Sequence, residues 1–250
     1  MQKGRSALRP GLVQQTDQIV AAHDLSLFVR TRQTNMPLVG FFDILGTREA
    51  VIGGRFSDLT ALDFSGPPGL AATVFPSIRV AVFSDSVVVS AEDSDERSFL
   101  GAVALMYGQW NADFVLVRGG IATGDIRWVD YKPADEVFST CRNFVCSRVY
   151  GSALVLAYEL EQRSGPGAIP FLSELAANIL SDLEPNAVLG GIVPMLCWAT
   201  EREANTLLGY AEVNLEHELN QGAARRHGLA THSYWLQVAA QRKYLAVRQA

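Results

Sequence analysis

Two aspartates carry the first chemical signal in this chain. Asp43 stands near the end of the apolar run Leu38-Val-Gly-Phe-Phe-Asp-Ile-Leu45. A carboxylate buried in such a strand without a partner costs free energy or has its pKa driven up. Asp85 is the centre of Ser84-Asp85-Ser86, between the runs Ser77-Ile-Arg-Val-Ala-Val-Phe83 and Val87-Val-Val-Ser90. Two β-rich arms around a short polar tip predict a hairpin, and the element order puts that tip beside the Asp43 strand. Two carboxylates meeting there repel each other unless a cation lies between them. Their hard oxygen donors suit magnesium or manganese, with coordination positions left open for phosphate oxygens. Taken singly, each aspartate has a plainer reading: a cap after an apolar run, or a turn residue.

The elements that must position these residues follow from hydrophobic period and turn chemistry. The Asp43 strand ends at Gly46-Thr47 and runs into a helical Arg48-Glu-Ala-Val-Ile52. A Pro/Gly-rich loop at Ser65–Gly69 precedes the hairpin, and Asp95–Ala112 has an acidic start and helical spacing through Phe99, Val103, Met106 and Tyr107. Phe114–Ala122 reads as a strand containing Arg118-Gly119-Gly120. Helices are expected at Ser152–Gln162, with Glu159 and Glu161 exposed, and at Pro170–Leu183. Leu189–Trp198 reads as a late strand. Glu203–Asn220 places Leu207, Leu208, Ala211, Leu215 and Leu219 on one helical face, and Tyr234–Val247 is a final amphipathic helix. Residues 1–35 hold one loosely patterned segment, Leu12–Arg32, expected as a partner-facing arm; residues 36–250 form one domain. The order strand, helix, hairpin, helix, strand predicts an α+β domain with helices on a largely antiparallel sheet.

Composition narrows the function classes. Hydrophobic residues at 48% and charged residues at 19% fit an ordinary globular protein rather than a disordered one. A formal charge of −5 removes the positive field that non-specific nucleic-acid binding needs, so no nucleic-acid partner is expected. Cys141, Cys146 and Cys197 form an odd set, expected as reduced thiols. The four histidines, His23, His217, His227 and His232, have no zinc-ligand spacing and are read as surface or cap residues. The first residues lack the apolar stretch of a signal peptide, and the run Ala187–Ala199 is too short to span a bilayer. A cytoplasmic protein with no membrane partner is the expectation.

Phe41-Phe-Asp-Ile-Leu-Gly46, a hairpin tipped by Ser-Asp-Ser, and Arg118-Gly-Gly-Ile-Ala-Thr-Gly-Asp125 together resemble, in order and approximate spacing, the catalytic domain of the class III nucleotidyl cyclases. The resemblance spans about Leu38 to Gln162. It implies the cyclase fold, two divalent ions (manganese or magnesium) held by Asp43, Asp85 and the Ile44 backbone, and a nucleoside triphosphate substrate. It also implies nucleotide contacts along Phe42, Ile44, Leu45, Gly46, Thr47 and Arg48. Gly46–Arg48 stand at a helix start whose free amides attract anions, which makes them phosphate-cradle candidates. Arg118, Arg142 and Arg148 are candidate cations for the phosphoryl oxygens, with Arg118 also readable as a strand-stabilising residue. A head-to-tail homodimer with shared active sites is implied as well.

The segment Tyr150-Gly-Ser-Ala-Leu-Val-Leu-Ala-Tyr-Glu-Leu-Glu161 resembles the cyclase helix whose usual pattern is Trp-Gly-x-x-Val-Asn-x-Ala-x-Arg-Leu-Glu. Val155 and Glu159 stand where that pattern has the Asn and Arg that stabilise the transition state. The purine-reading Lys and Asp of the family fall near Ala81 and Arg148. Arginine donates only, so Arg148 suits a base edge rich in carbonyls, with uracil the simplest case and guanine and cytosine still open; a solvated surface cation is the alternative. These departures resemble the bacterial pyrimidine cyclases of the Pycsar antiphage systems. That resemblance implies a lyase making cyclic UMP from UTP as a second messenger for antiviral defence, acting on a separate effector protein. Cytidylate cyclase, adenylate or guanylate cyclase, and a non-catalytic nucleotide-binding homologue remain the alternatives.

Overall fold

The computed structural model describes residues 36–54, 64–91, 95–113, 115–130, 147–216 and 223–249, with backbone alone at 48–50, 130, 147, 214–216, 223–224 and 244–249. The chain divides into Met1–Asn35 and Met36–Ala250. The arm expected at 1–35, with its segment Leu12–Arg32, lies outside the described residues, as do Cys141, Cys146, Arg142, His23 and His217.

The second unit is an α+β structure on a seven-stranded, mostly antiparallel sheet. Its strands are β1 (Leu38–Ile44), β2 (Ile78–Phe83), β3 (Ser86–Ala91), β4 (Val117–Thr123), β7 (Pro170–Leu172), β8 (Val188–Leu189) and β9 (Met195–Leu196). Their spatial order is β2-β3-β1-β4-β7-β9-β8. Among the described residues only the β4–β7 pairing is parallel. A separate ribbon pairs β5 (Arg127–Asp130) with β6 (Ser147–Tyr150). The helices are α1 (Thr47–Ile52), α2 (Gly66–Val74), α3 (Glu96–Ala112), α4 (Ser152–Arg163), α5 (Glu174–Leu183), α6 (Glu201–Glu216) and α7 (Ala223–Gln249).

Strand alternation at β1 assigns the two faces of the sheet. Leu38 and Phe42 face an apolar core shared with Phe99, Val103, Met106, Tyr107 and Trp110 of α3. Phe42 meets Tyr107 edge-on at 5.6 Å, and Trp110 stacks on Phe64 at 5.2 Å while its Nε1 donates to the Phe64 carbonyl at 3.0 Å. Val39 and Phe41 face the other way, toward α4 and the β5–β6 ribbon: Val39 clusters with Val88 and Ala153, and Phe41 meets Tyr158 edge-on at 5.3 Å. Trp128 ties the ribbon to the sheet by donating from Nε1 to Ser90 Oγ at 2.9 Å.

The Gly119-Gly120 pair in β4 lets both faces close. A Cβ at Gly119 would lie 2.2 Å from the Phe42 ring, and one at Gly120 would lie 2.0 Å from the Ala157 carbonyl oxygen of α4. These glycines are required by lack of space rather than by backbone angle. Helix α3 begins at Asp95, whose carboxylate accepts the Ser98 hydroxyl at 2.5 Å, the Ser77 hydroxyl at 2.7 Å and the Ser98 amide at 3.0 Å; these bonds, the Ser98 hydroxyl foremost, hold the carboxyl below its ordinary pKa.

Four expectations change. Pro170–Leu183 is not one helix: Pro170–Leu172 pairs with Gly119–Ile121 of β4, and Ser173 caps α5 by accepting the Ala176 amide at 3.3 Å. Leu189–Trp198 is not one strand but the two short strands β8 and β9, because Gly190, Gly191 and Pro194 break the run. The final helix starts at Ala223 rather than Tyr234 and buries Tyr234, Trp235 and Val238. It caps the β8–β9 segment, where Tyr234 donates its hydroxyl to the Leu196 carbonyl at 2.5 Å and Arg242 donates to the Ala199 and Cys197 carbonyls at 2.8 Å each. The fourth change, the burial of Glu161, belongs to the site. Cys197 is a buried free thiol, pushed up in pKa chiefly by burial. Among the described residues no helix is long and apolar enough to cross a membrane.

Candidate active site

Asp43 and Asp85 come together because β1 and β3 pair in a fixed register. Asp43 is opposite Ser86, and the next amide along, Ile44 N–H, donates to the Asp85 carbonyl at 3.1 Å. The hairpin that carries Asp85 turns in two residues, with Ser84 in the left-handed region at φ 56°. Ser86 then donates its hydroxyl to Asp43 Oδ1 at 2.7 Å. Both aspartates are half-buried.

Electrostatics mark Asp43 as short of positive charge. Burial is the largest cause lifting Asp43 from 3.8 to about 6; Asp85 and Glu161 add to the rise, and the Ser86 hydroxyl and Arg118 oppose it. Arg118 is directly across β4 from Asp43, so the two side chains leave the sheet on one face. Its guanidinium is nevertheless turned to Glu161 of α4. Nε donates to Glu161 Oε1 at 2.6 Å, a terminal nitrogen completes the ion pair on the same oxygen, and another reaches the Gly165 carbonyl at 3.4 Å. Among the described residues no ion pair joins Arg118 to Asp43.

Glu161 is fully buried, which corrects the expectation that it is exposed. The buried row of α4 is Ala153, Ala157 and Glu161, four residues apart, and not its leucines. Two alanines let α4 approach Gly120 closely enough for the third member of the row to reach across to Arg118. Val155 is 58% exposed, and Glu159 is paired only loosely with Arg163 at 3.7 Å. The positions that resemble the cyclase Asn and Arg therefore lie on the outer face of α4, away from the buried row.

The turn after Asp43 has a committed part and an open part. Ile44 and Leu45 use their amides on Asp85 and on the Leu116 carbonyl (2.9 Å), and Thr47 Oγ1 donates to the Ile44 carbonyl at 3.3 Å. Gly46 is exposed in the left-handed region at φ 87°, where glycine is favoured. Phe42 is fully buried in the core, so its side chain shapes β1 rather than meeting a ligand. Arg148 is exposed on β6 of the ribbon, opposite Val129; Ala81 is half-buried on β2 opposite Val88.

The donor set fits a hard divalent cation: two neighbouring carboxylates, one with a raised pKa, and among the described residues no ion pair to either. Among the described residues no group of three or more His, Cys, Asp or Glu side chains forms a closed metal cage. Two protein carboxylates with the remaining positions open suit an ion that also binds a phosphate.

No family model matches the chain, and no curated protein matches it. Solved structures do. The adenylyl cyclase CyaB from P. aeruginosa is 16% identical over 64% of this chain and 91% of its own, with a TM-score of 0.43. Adenylate cyclases from Trypanosoma brucei give 11% identity over 65% and 87%, with a TM-score of 0.45. The guanylyl cyclase domain of the RhoGC fusion protein from Blastocladiella emersonii gives 12% over 59% and 84%, also at 0.45.

Proposed function

We propose that this protein is a nucleotide cyclase of the class III type that closes a pyrimidine nucleoside triphosphate, UTP in the first place, to its 3′,5′-cyclic monophosphate. The observation that carries the reading is the convergence of Asp43 and Asp85 at the β1–β3 junction beside an open, glycine-led turn. The sequence resemblance across Leu38–Gln162 supplies the reaction class.

In this reaction the ribose 3′ oxygen forms a bond to the α-phosphorus, the bond from that phosphorus to the diphosphate oxygen breaks, and the hydroxyl proton passes to water. Asp43, Asp85 and the Ile44 carbonyl would hold two magnesium or manganese ions. Such ions supply an acidified 3′ hydroxyl and neutralise the triphosphate. The Ser86 hydroxyl bond to Oδ1 fixes the orientation of the Asp43 carboxylate. Backbone amides from Gly46 onward bind the phosphates and align the α-phosphorus. Arg148 donates to a carbonyl-rich base edge, from a second subunit if the site is shared in a head-to-tail homodimer. The cyclic nucleotide then acts on a separate effector, consistent with the resemblance to antiphage pyrimidine cyclases.

The test is incubation of the purified protein with ATP, GTP, CTP and UTP separately, plus manganese, with products identified by mass spectrometry beside Asp43→Ala and Asp85→Ala. Cyclic UMP from the unmodified protein alone is the expected result. Cyclic CMP, AMP or GMP would move the base assignment and leave the reaction class standing. A second reading, nucleotide binding without turnover, draws on Val155 and Glu159. It is favoured if no nucleotide yields product while manganese-dependent nucleotide binding persists.

A further inference from the structure

The buried Arg118–Glu161 pair has no evident purpose as a stabiliser. Burying two charges costs several kcal/mol, and an apolar pair of similar volume commonly serves stability as well or better. Its location gives a different reason. Arg118 is the register partner of Asp43, and opposed side chains on adjacent antiparallel strands have Cβ atoms about 4.5–5.5 Å apart. A guanidinium there is within easy reach of the Asp43 carboxylate and would neutralise it by a two-pronged bond. It is drawn the other way by Glu161, delivered from α4 by the Ala153–Ala157–Glu161 row pressed on Gly120, and by the Gly165 carbonyl.

Resting on the carboxylate-pair reading above, we infer that Glu161 is a positioning residue that holds Arg118 off Asp43, keeping that carboxylate open to a divalent cation. Removing the Glu161 charge frees Arg118 to close on Asp43, and the cation must then compete with an internal guanidinium. The defect is one of metal affinity rather than of chemistry, because a saturating cation displaces Arg118 and restores the same site. Removing Arg118 as well eliminates the competitor.

The experiment is manganese titration of the full chain without nucleotide, read by electron paramagnetic resonance of free Mn²⁺, with circular dichroism as the check on folding. Glu161→Gln should weaken Mn²⁺ binding about tenfold or more, the scale of one close charge interaction. Its cyclase rate should return toward that of the unmodified protein at saturating manganese. The double variant Arg118→Met with Glu161→Gln, which leaves no buried unpaired charge, should recover the Mn²⁺ affinity. A folded Glu161→Gln with unchanged affinity overturns the inference, as does a loss that the double variant does not recover. If the unmodified protein binds no more Mn²⁺ than Asp43→Ala, the carboxylate-pair reading itself falls and takes this inference with it.

Discussion

Phe42 and Asp43 are adjacent in the chain and face opposite sides of one strand, into regions built on different principles. On the Phe42 side, Phe99, Tyr107 and Trp110 fill space, and the energy comes from apolar surface removed from water. On the Asp43 side, charged groups are arranged in a short chain, Asp85 to Asp43, across to Arg118 and on to Glu161. The first region is held by apolar packing, with the Tyr107 hydroxyl buried in it and unpartnered; the second is left with an excess of carboxylate. A sheet that is well packed on one face can hold such an imbalance on the other, because the cost of a few kcal/mol is met by the core. Stability and candidate chemistry are thus separated by the alternation of a single strand.

The comparison breaks most sharply at the aspartates. Asp43→Ala or Asp85→Ala should lower cyclic-nucleotide formation by about 10³-fold or more, as expected when a metal ligand acting on the reacting atoms is removed. Both variants should stay folded, and a urea melt alongside the product assay checks the pair of claims. On the opposite face, Phe99→Ala should cost about 3–5 kcal/mol in urea unfolding, the usual range for emptying a buried aromatic site. Its folded fraction should still bind manganese.

Smaller effects sharpen the contrast. The folded protein holds the Asp43 proton more tightly than the unfolded chain, with a pKa of about 6 against 3.8. That contribution is fully present below about pH 4 and is lost as pH rises through 6, so the ionised carboxylate burdens the metal-free fold above that point. In EDTA, Asp43→Asn should therefore raise stability by about 1–2 kcal/mol at pH 7.5, a figure reduced for solvent screening of a half-exposed group, and by almost nothing at pH 4. Manganese affinity of the unmodified protein should fall as pH drops below about 6, as the proton competes for the same oxygen. Ser86→Ala removes a bond that lowers the Asp43 pKa, so that pH midpoint should move up. At pH 6 the manganese affinity should drop about threefold to tenfold, the scale of the net contribution of one hydrogen bond. A calorimetric titration at several pH values measures both.

Much of the local structure was legible in residue order. β1, the β2–β3 hairpin and α3 follow apolar period and turn residues closely, since each is specified within its own segment. β7 was missed because three residues, Pro170–Leu172, are strand only by pairing with β4, some fifty positions earlier. Glu161 was misplaced because a glutamate among leucines reads as a solvent-facing residue. The signal that identifies it is the spacing Ala153, Ala157, Glu161, in which small residues mark the close-packed side.

By itself, the sequence determined which residue types were available: an aspartate ending an apolar strand, another at a hairpin tip, glycines after an arginine. Those are local properties, set by side-chain chemistry and by the few backbone angles each residue tolerates. Only the tertiary structure decided that Asp43 faces away from the core, that Ser86 and Asp85 meet it, and that Arg118 is held by a buried Glu161 rather than by its strand partner. Each of these depends on strand register and on how closely a helix can approach a sheet. Those quantities are set by packing between segments far apart in the chain, where a shift of one residue would turn every side chain to the other face.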